Sequence, residues 1–148
     1  MSERCAILLV EDDENDAFFL KRALTALGFP GKVHHVTETE EAKNYVRGDG
    51  VYSDREKFPE PEMIVADSAV TVRDSGVEFL EWVRAQKAKP NVPFIIFSGG
   101  VSEETRKRAE AAGVRKIVTK ASSQTELLQR LREIVEEFPH ECREWLKE

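Results

Sequence analysis

The stretch "CAILLVEDDENDAFFLKRALTALGFP", Cys5 to Pro30, decides the architecture. It opens on a short, wholly apolar run, Cys5 to Val10, of the kind that forms a strand buried on both faces. Glu11, Asp12 and Asp13 follow at once. Ala17, Leu20, Leu24 and Leu27 then recur at helical spacing until Gly28 stops the helix, with Pro30 just beyond. A strand that runs through an acidic turn into an amphipathic helix is the repeating unit of a parallel sheet covered by helices.

That unit recurs four more times. Strands are expected at Lys32–Val36, Met63–Ala66, Val92–Phe97 and Ile117–Thr119. The second helix carries Ala42, Tyr45 and Val46 inward, with Thr37 and Glu40 spaced as a capping box, and the third carries Val77, Leu80 and Val83. The fourth, Ser102–Ala112, offers mainly Ala109 and Ala112 to the sheet, so weak anchoring is expected. Ser123 and Glu126 cap a strong fifth helix with Leu127, Leu128, Leu131, Ile134, Val135 and Phe138 on its apolar face.

Two segments exceed this plan. Gly48–Glu62, "GDGVYSDREKFPEPE", is longer than the roughly 2 to 6 residues usual for such a connection, which makes it an ordered excursion or a binding loop. Beyond a domain at residues 1–138, residues 139–148 read as a short helical extension in which Cys142, Trp145 and Leu146 form one apolar stripe. That stripe packs on its own domain or on a second copy of the chain.

Composition narrows the function. With 148 residues, 41% hydrophobic and 34% charged, there is enough chain for one domain with a real core and no room for a second. A net charge of -6 opposes broad binding to nucleic acid or to an anionic membrane. Arg106, Lys107, Arg108, Arg115 and Lys116 make a local basic patch, a solvated face or a docking surface. No apolar run approaches the roughly 20 residues of a membrane span. Cys5 and Cys142 stand at opposite ends of the chain without metal-ligand spacing, and the N-terminus lacks a signal-peptide core. The expectation is a cytoplasmic protein with reduced thiols.

In a doubly wound sheet the carboxyl ends of the strands share one edge, where ligands bind. Here that edge collects Glu11, Asp12 and Asp13 from the first strand and Asp67 from the third. Ser98, Gly99 and Gly100 come from the fourth, and Lys120 from the fifth. Each taken singly has a plain structural explanation as a cap, a turn or a surface charge. Together they are complementary. Clustered carboxylates repel unless a hard divalent cation neutralises them, and Mg²⁺ suits such a set because it keeps waters for exchange with phosphate oxygens. A phosphoryl group there needs its charge balanced from the far side, a task for the Lys120 ammonium and the Ser98 hydroxyl.

"ILLVEDDENDAFFLKRAL", Asp67, Ser98 and Lys120 together resemble the receiver domain of two-component response regulators, over nearly the whole chain to about Phe138. The long loop is similar to that of stand-alone receivers that partner phytochrome-like histidine kinases. The resemblance implies a flavodoxin-like sheet of order 2-1-3-4-5 with helices on both faces. It also implies phosphoryl transfer from a histidine kinase or phosphotransfer protein to an aspartate. On that footing Asp67 is the phosphoacceptor, and Glu11 and Asp12, with Asp67 and the carbonyl of Ala69, hold Mg²⁺. Ser98, Gly99 and Lys120 contact the phosphoryl group, and the chain is a signalling protein rather than an enzyme. Asp13 is the helix cap.

The chain departs from the family's pattern at Ser68, Thr71, Ile117 and Ala121. An apolar residue, a proline, an aromatic and a proline are usual there. With no proline after it, the Lys120–Ala121 peptide is expected to be trans. These departures favour the competing reading, a pseudo-receiver that keeps the fold as a scaffold. A nucleotide cradle at Ser98–Gly100 lacks the glycine fingerprint, and a hydrolase lacks a histidine at a strand end.

Overall fold

The computed structural model describes residues 5–143. Five strands, β1 (Ala6–Val10), β2 (Val33–Val36), β3 (Pro61–Ala66), β4 (Phe94–Ser98) and β5 (Lys116–Thr119), alternate with five helices. These are α1 (Glu14–Ala26), α2 (Thr39–Arg47), α3 (Ser75–Arg84), α4 (Glu103–Ala111) and α5 (Gln124–Val135). The strands pair in parallel in the order β2-β1-β3-β4-β5, the flavodoxin-like order that the resemblance implies.

Alternation along β1 explains its uninterrupted apolar run. Ile7 and Leu9 join Leu20 and Leu24 of α1 and Leu131, Ile134 and Val135 of α5 on one face. Leu8 and Val10 meet Tyr45 of α2, Val77 and Leu80 of α3 and Ala109 of α4 on the other. Successive side chains point to opposite faces, so a strand covered twice must be apolar at every position.

The caps differ in how well spacing foretold them. Asp13 accepts from the backbone N–H groups of Asn15 and Asp16 at 2.9 and 3.0 Å, and Ser123 accepts from that of Glu126 at 3.2 Å. At α2 the expected Thr37–Glu40 box does not form. Glu38 occupies the N-cap without a side-chain bond, so Thr37 lies one residue too early to reach the first turn.

Residues 48–60 are an ordered excursion, shorter than expected by two because β3 starts at Pro61. A 3-10 turn, Gly50–Ser53, leads into a cluster in which Tyr45, Tyr52 and Phe58 pack ring on ring with centroids 4.9 to 6.1 Å apart. Arg55 donates to the carbonyls of Tyr45, Val46 and Phe58 at 3.0 to 3.2 Å, fixing the loop from beneath.

A second expectation is overturned. Cys5 and Cys142 are joined in a disulfide across 137 residues of sequence, with Cα atoms 5.7 Å apart. The start of β1 lies under the end of the α5 segment, where Phe138 stacks on Phe29 and a short 3-10 turn, His140–Cys142, returns the chain to the sheet. The reduced-thiol reading is therefore wrong, and it no longer supports a cytoplasmic location. The expected stripe through Trp145 and Leu146 lies outside the described residues. Among the described residues no helix is long and apolar enough to cross a membrane.

Candidate phosphoacceptor site

The carboxyl edge of the sheet is held by backbone bonds that carry the ladder past the strand ends. Asp67 N–H donates to the Val10 carbonyl at 3.1 Å, Glu11 N–H to that of Val36 at 3.0 Å, and Lys120 N–H to that of Ser98 at 2.8 Å. Asp67 is clamped from behind as well. A Cβ on Gly76, in the first turn of α3, would lie 1.8 Å from the Asp67 carbonyl oxygen, so only glycine lets that helix start so close to the strand.

Lys120 is the hub. Its Nζ lies 2.8 Å from Glu11 Oε1, from Asp16 Oδ2 and from Asp67 Oδ2. Burial opposes the charge on Lys120, but the hydrogen bonds it donates to Asp16, Asp67 and Glu11 together outweigh it and hold its pKa above the usual lysine value. Glu11 shows the opposite balance. Only 3% exposed, its carboxyl is pushed up to about 7 by burial, which prevails over the hydrogen bonds from Lys120 and the Asp13 N–H.

The remaining acids face outward. Asp12 is exposed and accepts from the Thr71 N–H at 2.9 Å, while the second oxygen of Asp67, Oδ1, accepts from the Ala69 N–H at 3.1 Å. Glu11, Asp12 and Asp67 each offer a carboxylate oxygen within 4.8 Å of the others. An all-oxygen set with one buried, one half-buried and one exposed member, and more carboxylates than one lysine neutralises, fits a hard divalent cation. Such an ion supplies charge screening where an anionic phosphoryl group meets a carboxylate.

Of the residues singled out from sequence, Glu11, Asp12, Asp67, Ala69 and Lys120 meet in this one network. Ser98 arrives at the same edge but is turned elsewhere. Its Oγ lies 2.9 Å from Ser68 Oγ and 3.3 Å from the Gly100 carbonyl. Gly99 is exposed beside it. Within the basic patch, Arg108 pairs with Glu81 at 2.8 Å, and Arg115 and Lys116 reach Glu137 at 3.5 and 3.3 Å.

Two participants escaped the sequence reading. Asp16 joins the lysine hub, and the signal was its place in the first turn of α1, four residues past Asp12. His35 lies in β2, and its Nε2 is 2.7 Å from the Glu11 carbonyl oxygen. That acceptor requires a proton on Nε2, so His35 holds the Glu11 backbone as a donor. Beside Lys120 opens a cleft of about 290 Å³, lined by Asp16, Phe19, Phe97, Ser122 and Leu127.

Comparison with known proteins identifies the family. Residues 7–132 match the model of the response regulator receiver domain, so the chain belongs to that family of two-component signalling proteins. Among solved structures, it superposes on the response regulator RPA3017 in red light signaling of R. palustris with a TM-score of 0.81 at 17% identity, covering 92% of this chain and 94% of that one. The phosphorylated cyanobacterial phytochrome response regulator RcpA gives 0.80 at 25% identity, with 90% and 93% covered. The Mn(2+)-bound form of the response regulator Rcp1 gives 0.76 at 21% identity, with 88% and 91% covered. A curated relative, the probable methanogenesis regulatory protein FilR2 of Methanothrix harundinacea (strain 6Ac), is 27% identical over 88% of this chain and 81% of its own length.

Proposed function

We propose that this protein is a phosphorylatable receiver in which Asp67 accepts a phosphoryl group, with Mg²⁺, from the phosphohistidine of a histidine kinase or phosphotransfer protein. The carrying observation is the Asp67 carboxylate fixed at the end of β3, 2.8 Å from the Lys120 ammonium and within 4.8 Å of carboxylate oxygens of Glu11 and Asp12. In the transfer the histidine N–P bond breaks, an Asp67 O–P bond forms and the electron pair of the broken bond returns to the imidazole. Glu11, Asp12, Asp67 and the Ala69 carbonyl would hold the metal. Lys120 stays charged throughout and balances the transferred group, and backbone bonds on both sides of Asp67 fix its aim before the donor arrives.

Beside the departures from the family pattern, the scaffold reading has a structural observation behind it. Thr71, at φ 64°, points its N–H at Asp12, so this loop satisfies a metal-site acid by itself. One experiment separates the two. With acetyl phosphate or a cognate kinase and Mg²⁺, mass spectrometry should find one acid-stable, base-labile phosphoryl group, and Asp67→Asn should lose it. A folded protein that takes up neither the phosphoryl group nor beryllofluoride is a scaffold.

A further inference from the structure

Ser68 follows the proposed phosphoacceptor at a position where an apolar residue is usual, and the residue is 6% exposed. A hydroxyl buried this deeply needs a partner. Among the described residues, its hydrogen-bond partner is the Ser98 hydroxyl, 2.9 Å away. The register explains the meeting. Ala66 of β3 pairs with Ile96 of β4, so two residues further on Ser68 and Ser98 lie side by side on the face that carries Ala66, Phe94 and Ile96. That face looks toward α3 and α4, whereas the Asp67 carboxylate reaches Lys120.

We propose that Ser68 is a positioning residue that holds Ser98 turned away from Asp67 and thereby sets how readily the site adopts its phosphoryl-engaged state. This rests on the phosphoacceptor reading of Asp67 and concerns how the same site is regulated. Ser98 has a single proton to give, so donating it to a phosphoryl oxygen takes it from the Gly100 carbonyl, 3.3 Å away. A Ser98 oxygen drawn toward the phosphoryl group also moves away from Ser68. The Ser68 hydroxyl is left buried without a partner, so the engaged state carries a penalty that an apolar residue at this position does not impose. Removing the hydroxyl removes the penalty.

Beryllofluoride binding to the Mg²⁺-loaded protein reads this out. Ser68→Ala should bind about tenfold more tightly than the parent, the ratio that corresponds to one unsatisfied buried hydroxyl. Ser98→Ala should bind more weakly, and adding Ser68→Ala to it should change nothing more, because Ser68 acts through Ser98. A merely structural role would shift the double variant as much as the single one, and that result overturns the proposal. So does unchanged or weaker binding by Ser68→Ala. Ser68→Cys retains the shape with a poorer hydrogen bond and should fall between the two, which gives a second reading should alanine disturb the fold. If the parent itself takes up no beryllofluoride, the phosphoacceptor reading fails and this one with it. If the parent binds and the variants match it, this one fails alone.

Discussion

Lys120 lies where three carboxylates converge, and a metal ion would compete with it for two of them. Removing the lysine leaves Glu11, Asp16 and Asp67 without their common cation, in a site half open to water. Lys120→Ala should therefore lower stability by about 1–3 kcal/mol in metal-free buffer. Mg²⁺ should restore more stability to the variant than it adds to the parent, since the ion then meets no competing ammonium. Urea unfolding with and without Mg²⁺ measures both effects, and equal metal responses would show that the ion does not touch these acids. Gly76 works through shape alone. With the Asp67 carbonyl 1.8 Å from where a Cβ would stand, Gly76→Ala must push α3 off the strand end. A loss of about 1–3 kcal/mol is expected, together with NMR shift changes at Asp67. An unperturbed variant would mean that the helix start can move freely.

Helices differ in what they bury. The described interior face of α4 is Thr105 and Ala109, whereas α5 buries Leu131, Ile134 and Val135 and packs Leu127 and Leu128 against the same cluster. Two polar ties add to α4: Thr105 donates to Asp74 at 2.8 Å, and Arg108 pairs with Glu81 on α3. One runs to the N-cap of α3 and the other to α3 itself, neither to the sheet, so α4 is coupled to the segment that follows Asp67. Amide hydrogen exchange should be faster in α4 than in α5, and equal protection would argue against a mobile output face. In β2, His34 sits between Tyr45 and Phe58 with its Nε2 buried and unpaired among the described residues. Burial first, then the charges of Lys32 and Lys21, hold its pKa below the ordinary 6.5. The unfolded chain thus binds a proton below about pH 6.5 that the folded chain refuses, and stability falls as pH drops through that window. His34→Phe should flatten this part of the stability curve. The difference between the two curves isolates His34 from other groups titrating nearby, Glu11 among them, and parallel curves would show that His34 protonates without strain.

At the scale of the molecule the disulfide closes nearly the whole chain into a loop. In the chain-entropy account, long loops gain the most from such a link, and a stabilisation of about 2–4 kcal/mol is typical. Reductant should lower the urea midpoint accordingly, and Cys142→Ser should match the reduced parent. A midpoint indifferent to reductant would show that the bond contributes nothing to the folded state. The bridge lies at the amino end of β1, while Glu11 and Asp12 lie past its carboxyl end. Reduction should therefore leave Mg²⁺ binding at the acidic site unchanged, a separation that the same samples can check.

The succession of strands and helices along the chain was legible in the sequence, because burial on both faces forces runs such as Ile7–Val10 to be apolar throughout. It also determined which acids, hydroxyl and lysine reach the carboxyl edge, since in a parallel sheet that edge is shared by construction. Local spacing was enough for the Asp13 and Ser123 caps. It failed at Thr37, where a shift of one residue in the helix start undoes the box. Tertiary structure alone decided which groups touch. Asp16 and Lys120 are 104 residues apart, Cys5 and Cys142 are 137 apart, and neither pairing leaves a trace in local periodicity. The direction of Ser98 was decided in the same way. A strand end fixes where a hydroxyl begins, but the rotamer it takes depends on the partner that the neighbouring strand sets beside it, and here that partner is Ser68.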